Sequence, residues 1–282
     1  MRKGPTTSSG FVLIAVLWII ATLSTLATIY ALYVNATVTG LNAYDRELVG
    51  EGASRAAVEL AALRILSTPE QARPHSGKLE LVLGNTQVRA RYESEGCRVD
   101  LNSASKELLE ALFLASGAAH DAATYAANVI AERSGAPGDP GRNIAPKLPR
   151  KLRTSGELIR LAKVPADIAE KALPLTTVYT GNSKLDIFCA SPQLLSWLPG
   201  VDRNRLGDIL AALNTPVADP RTFSSALGQA ESFVTFEAPK VYRIRISSVL
   251  RSRMAAESEV VIMVYKQGPE PYSVLSWTED AS

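Results

Sequence analysis

The sequence predicts an α+β protein: a long N-terminal helix, an antiparallel sheet made of two sequence-distant parts, and a large all-helical insertion between them. Three observations carry this. Residues 11–34 form 24 positions without a charge, FVLIAVLWIIATLSTLATIYALYV. Segments alternating between apolar and other residues stand at 79–92 and again from 241 onward. The stretch between them carries helical patterning and an internal repeat. The bulk numbers fit. The 282 residues suffice for a sizeable core, and 46% hydrophobic against 21% charged residues excludes wholesale disorder. With 30 Lys+Arg against 28 Asp+Glu, the chain is neither a generally basic nucleic-acid binder nor an acidic tail protein. Two cysteines exclude a multi-disulfide scaffold and a structural zinc site, and two histidines leave little material for triad chemistry.

The first element is decided by charge. No charged residue lies between Lys3 and Asp45. As a helix, residues 11–34 would be about 36 Å long, enough for a hydrocarbon layer of about 30 Å. The alternatives are a core helix of a soluble protein, which rarely lacks every charge at this length, and a cleaved signal, whose apolar run is much shorter. Arg2 and Lys3 precede the run, so the positive-inside rule places its start in the cytoplasm and the remainder on the far side of the membrane.

The polar stretch 4–10 (GPTTSSG) ends abruptly at Gly10, and Phe11 opens the apolar run. This Gly–Phe junction behind a short basic leader resembles the type IV prepilin leader. The resemblance implies cutting between Gly10 and Phe11 by a prepilin peptidase, N-methylation of Phe11, and retention of the helix. Losing Arg2 and Lys3 would leave 28 basic against 28 acidic side chains. Most pilin-like proteins carry Glu at the fifth mature position, where the carboxylate pairs with a neighbouring subunit's amine inside the fibre. Here that position is Ala15. A buried carboxylate is costly without its partner, and a subunit with nothing above it has no use for one. This absence resembles the K-type minor pseudopilin of the type II (general) secretion pathway.

From Thr39 the pattern turns amphipathic. Leu41, Tyr44, Leu48, Ala56, Leu60 and Leu63 recur at helical spacing among charged residues, which predicts continuation of the helix through 35–66. Pro69 and Pro74 close it. The first part of the sheet, 67–95, holds a hairpin: Leu79, Leu81 and Leu83, the turn signal Gly84–Asn85, then Val88, Ala90 and Tyr92. The second part, 237–282, holds strands at 241–250, 259–265 and 273–278. A long helix followed by an antiparallel sheet matches the pilin-like plan that the leader implies.

The insertion is 96–236. Within it VDLNSASKELLEAL (99–112) aligns with LDIFCASPQLLSWL (185–198), sharing Asp100/Asp186, Ala104/Ala190, Ser105/Ser191, Leu108/Leu194, Leu109/Leu195 and Leu112/Leu198. Ser105 and Ser191 suit N-caps, Pro192 suits a first helical turn, and the leucines make one apolar stripe. Segments 154–164 and 222–230 read as similar capped helices. A large helical insert resembles the one that distinguishes K-type pseudopilins from their small siblings, and the closing VLSWTE (274–279) resembles the end of that family.

Competing chemistry is thinner. LPGVDRNRLGDILAAL (198–213) resembles a helix-hairpin-helix element, with Arg203 and Arg205 available for phosphate. Against DNA binding, Asp202 replaces the second turn glycine, residues 96–235 carry 15 Lys/Arg against 14 Asp/Glu, and no aromatic-basic platform accompanies the motif. Arg142, Lys147, Arg150, Lys151 and Arg153 form a basic loop, read as solvated or as a contact for an acidic partner surface. His75 and His120 have no nucleophile or ligand at recognisable spacing and are expected at the surface. No phosphate-binding Gly-Lys-Ser/Thr loop is present, so an enzyme, including the motor of the pathway, is not expected. Cys97 and Cys189 lie beside the repeated segments; a disulfide is the expectation in an oxidising compartment, with two buried thiols as the alternative. The family resemblance implies calcium in some members, but the carboxylates here are scattered and no residue is assigned as a metal ligand.

The resemblance therefore implies a single-pass inner-membrane protein with a periplasmic domain. Its partners would be I-type and J-type minor pseudopilins, other pseudopilins and the prepilin peptidase, in a tip complex that initiates or caps a short fibre for export of folded proteins. Apolar helices would associate through small residues such as Ala15, Ala21, Ser24 and Ala27. Two alternatives are a minor pilin of a type IV pilus or DNA-uptake machine, and an anchored DNA-binding protein using the helix-hairpin-helix element.

Overall fold

The computed structural model describes residues 9–135, 148–161, 163–201, 206–213, 227–250, 253–266 and 268–280. Helix α1 (Ser9–Leu66) runs unbroken for 58 residues. The hairpin β1 (Ser76–Leu83) and β2 (Thr86–Ser94) follows. Next come β3 (Val99–Asp100), α2 (Lys106–Ala115), α3 (Ala122–Ser134), α4 (Leu158–Leu161), α5 (Ala166–Ala172), β4 (Thr176–Thr177), β5 (Leu185–Asp186), α6 (Pro192–Leu195), α7 (Leu206–Leu213) and β6 (Val234–Thr235). The chain ends in β7 (Val241–Leu250), β8 (Arg253–Val264) and β9 (Tyr272–Asp280).

The main sheet has the order β1-β2-β7-β8-β9, with every neighbour antiparallel. Removing residues 95–240 would leave a plain meander, because β2 and β7 are adjacent and Ser94 pairs with Tyr242. The insertion thus enters and leaves at neighbouring points, which lets it fold around its own core. Gly84 takes the first position of the two-residue hairpin turn at φ +56°, as a type II′ turn requires. In β2 the alternation is clean: Thr86, Val88, Ala90, Tyr92 and Ser94 point inward. At the sheet edge Tyr92 lies directly across Gly77, where a Cβ would stand 2.2 Å from its hydroxyl oxygen.

The second half of α1 packs on this sheet, but not through the leucines that mark its helical spacing. Ala53, Ala57, Ala61 and Ile65, with Ser54, Val58 and Ala62 beside them, form the buried face against Tyr242, Ile244, Ile246, Val260 and Ile262. Leu48, Leu60 and Leu63 are 54%, 38% and 65% exposed; the side chains of Leu41 and Tyr44 lie outside the described residues. The reason is steric. An alanine face lets a helix settle closely onto a flat sheet, close enough here for the Ser54 and Ser258 hydroxyls to meet at 3.1 Å. Tyr272 ties β9 to α1 by donating from its hydroxyl to Glu59 Oε1 at 2.7 Å.

The insertion holds a separate core, with Leu101, Leu108, Leu109, Leu112, Phe113, Leu158, Leu185, Ile187 and Leu194 fully buried. The repeat is structural. In the first copy Asp100 Oδ1 accepts from the Asn102 and Ser103 amides, and Ser105 Oγ caps α2 by accepting from the Leu108 amide at 3.2 Å. In the second, Asp186 Oδ1 accepts from the Phe188 amide, and Ser191 Oγ caps α6 through the Leu194 amide, also at 3.2 Å. Each copy opens on a two-residue strand, and each strand pairs in parallel with a later segment, Val99 with Thr176 and Leu185 with Val234. These short ladders join the helices of the insertion. The segment at 154–164 contains a 3₁₀ turn and α4, with Glu157 Oε1 accepting the Arg153 and Thr154 amides. Of 222–230, residues 222–226 lie outside the described residues.

Candidate assembly surface and its buried junction

Among the described residues, one helix is long and apolar enough to cross a membrane: Phe11–Thr37, none of it buried against the protein. Sixteen large apolar side chains between Phe11 and Val34 expose 38–75% of their surface. Covering them is worth on the order of 20 kcal/mol, at about 1–2 kcal/mol each. The threonines of this rod are already satisfied: Thr22, Thr25, Thr28 and Thr37 donate to the carbonyls of Ile19, Ala21, Ser24 and Tyr33 at 2.8–2.9 Å. Such back-bonding suits a surface that meets no water. Gly10 and Phe11 lie in the first turn of α1, with Phe11 exposed, and Ala15 lies one turn further on.

Two clamps hold the insertion to the sheet. The first centres on Glu95, fully buried just after β2. Arg98 Nη1 donates to its Oε1 at 3.2 Å and Arg243 Nε, from β7, at 2.5 Å. Arg243 Nη2 and the Thr177 hydroxyl, from β4, donate to Oε2. Arg98 also reaches Glu93, and Arg243 also reaches Glu259 at 2.8 Å. Burial alone would push the Arg243 guanidinium down, but the hydrogen bond and charge of Glu95 and the charge of Glu259 hold it above its ordinary value.

The second clamp uses the repeat. Asp100 Oδ2 stays inside the insertion, accepting from Thr180 and Gly181. Its counterpart Asp186 turns outward: His75 Nδ1 lies 2.7 Å from Oδ2, and the Ser94 hydroxyl donates to the same oxygen at 3.1 Å. His75, expected at the surface, is half-buried because this carboxylate and the Phe188 ring, with centroids 4.6 Å apart, enclose it. Beside it a disulfide joins Cys97 to Cys189, with Cα atoms 5.1 Å apart. Sequence reading did not single out Glu95, Arg243 or the Asp186–His75 pair. The repeated aspartates were the one local signal, and as matched positions of the repeat they gave no sign of the junction.

Other sequence candidates are placed as follows. His120 is exposed. Arg150 pairs with Glu157 at 2.7 Å, while Arg142 and Lys147 lie outside the described residues. So do Asp202, Arg203 and Arg205. Gly200 has a packing reason to be glycine: its φ is +83°, and a Cβ would stand 2.8 Å from Gln229 Cβ. Among the described residues the one His/Cys/Asp/Glu group close enough to share an ion is His75, Asp186 and Cys189. With Cys189 in a disulfide, this set cannot offer calcium its six to eight oxygens.

The fold is pilin-like, with a helical insertion. A chain in the crystal structure of the GspK-GspI-GspJ complex from the enterotoxigenic Escherichia coli type 2 secretion system superposes with a TM-score of 0.56, covering 85% of this chain and 97% of that chain at 17% identity. The match therefore takes in rather more than the helix and sheet alone. No protein-family model matches the sequence, and no curated protein matches it.

Proposed function

We propose that this chain is the K-type minor pseudopilin of a type II secretion system, an assembly component that performs no bond chemistry. The observation that carries the reading is the near-complete overlap with a chain of a minor-pseudopilin complex, together with an apolar rod that no described residue covers. The prepilin peptidase removes residues 1–10, and methylated Phe11 begins the mature protein in the inner membrane. The rod joins other pseudopilins by close packing at Ala15, Ala21, Ser24 and Ala27. Ala15 offers no carboxylate to a subunit above, and the insertion obstructs that position. The subunit then sits with I-type and J-type partners at the tip of the fibre, its domain in the periplasm, and binds no nucleic acid.

Mass spectrometry of the membrane-extracted protein tests the first step: the expected N-terminus is methylated Phe11, and an active protein retaining residues 1–10 would refute it. Co-purification of I-type and J-type pseudopilins, with loss of exoprotein secretion on deletion, tests the assembly role. Loss of twitching or DNA uptake with secretion intact would refute that role.

A further inference from the structure

A cleft of about 570 Å³ lies where α1 ends, between the turn at Thr68–Arg73 and the β8–β9 loop. By helix length it stands roughly 80 Å from Phe11, well away from the apolar rod. Its lining is Leu66, Tyr265 and three prolines, Pro69, Pro269 and Pro271, with Arg73 as the buried cation. Arg73 is only 6% exposed. Arg98, equally buried, and the part-buried Arg243 each meet two carboxylates. Arg73 meets none among the described residues, and its Nε is the one buried side-chain polar atom there without a hydrogen-bond partner. A buried cation left in this state is costly. The one lysine of the cleft, Lys266, is engaged with Glu70 at 3.4 Å.

We propose that this cleft is a docking site for a carboxylate, an acidic side chain of a partner polypeptide, with Arg73 as the anchor. The buried cation selects the ligand. Lys266 is paired with Glu70 and Glu270 stands exposed at the rim, so the lining is formally neutral; what the cleft lacks is a partner for the buried Arg73, which a monovalent carboxylate supplies. A phosphate dianion would bring twice the charge toward Glu70 and Glu270. The planar fork of a guanidinium matches a carboxylate bidentately, and proline and tyrosine walls suit an extended peptide. A volume of this size lies within the range of ordinary ligand sites. The inference stands independently of the pseudopilin reading.

The test uses the full-length protein in detergent micelles and saturation-transfer NMR, which detects dissociation constants on the order of 1 mM. The probes are N-acetyl-glutamate methylamide and its glutamine counterpart. The acid is expected to bind at least tenfold tighter than the amide. Arg73→Met abolishes the difference, Arg73→Lys retains part of it, and an equal concentration of inorganic phosphate leaves the acid bound. Equal binding of acid and amide, unchanged preference in Arg73→Met, or displacement by phosphate would overturn the proposal. Arg73→Met is also expected to unfold at or above the wild-type midpoint, since it removes an unpaired buried charge. A markedly lower midpoint would mark Arg73 as a structural residue and refute its docking role.

Discussion

Replacing Glu95 by Gln keeps the shape of the junction and removes its charge. Glu95 is fully buried and accepts hydrogen bonds from Arg98, Arg243 and Thr177. Breaking a buried ion pair typically costs 3–5 kcal/mol, because the remaining charge is stranded. Here neither guanidinium is left wholly alone: Arg98 keeps Glu93, and Arg243 keeps Glu259. The expected loss is therefore at the low end, about 3 kcal/mol. The position of the clamp also predicts how the loss appears. Trp197 packs on the insertion core and Trp277 on the helix–sheet core. In a Trp18→Phe background, these two tryptophans report the two halves separately in urea unfolding, each with the other replaced by Phe. The native junction makes the transitions coincide, and Glu95→Gln pulls them apart, with the Trp197 transition moving to lower urea. A loss under 1 kcal/mol, or transitions that stay superimposed despite the full loss, would show that the network does not couple the halves.

Three further outcomes are expected. Substituting both Cys97 and Cys189 by Ala removes a crosslink spanning 92 residues, with an expected cost of about 2–4 kcal/mol; intact mass should rise by two hydrogens when the native protein is unfolded with a reductant, and no gain would refute the bond. Gly77→Ala places a methyl against buried Tyr92, and should lower stability by about 1–3 kcal/mol in chemical denaturation, whereas at Gly84 the space is open and the strain of a side chain comes from its φ of +56°. For Glu157, burial would raise the carboxyl, but the Arg153 and Thr154 amides and the charges of Arg150 and Arg153 outweigh this and hold it below its ordinary value. Its stabilisation is therefore present above about pH 4.5, the unfolded value, and is lost as pH falls through the lower folded value. Glu157→Gln should cost about 1–2 kcal/mol at pH 7 and progressively less toward pH 3; a cost that does not shrink on acidification would refute this.

Much of the fold was legible wherever neighbours in sequence settle the matter. The uncharged run shows itself because a helix must be apolar all round to leave water. The β1–β2 hairpin follows from alternation about a Gly-Asn turn. The repeated Asp and Ser positions are readable because each side chain caps amides only two or three residues away. The packing face of α1 was not legible in the same way. The leucine spacing marks a helix but does not show which side is buried, because large apolar residues occupy one face and alanines another. Which face is buried depends on how closely the opposing sheet can approach.

The sequence by itself determined the unaccompanied rod, the hairpin and the capped repeat, since water exclusion, turn geometry and capping act within a few residues. Only the tertiary structure decided that Glu95 is buried between two arginines, that Asp186 rather than Asp100 binds the sheet through His75, and that Arg73 meets no carboxylate among the described residues. These groups lie up to 148 residues from the partners they meet. A charge in a polar stretch carries no local mark of whether the folded chain will solvate it, pair it, or leave it facing a cleft.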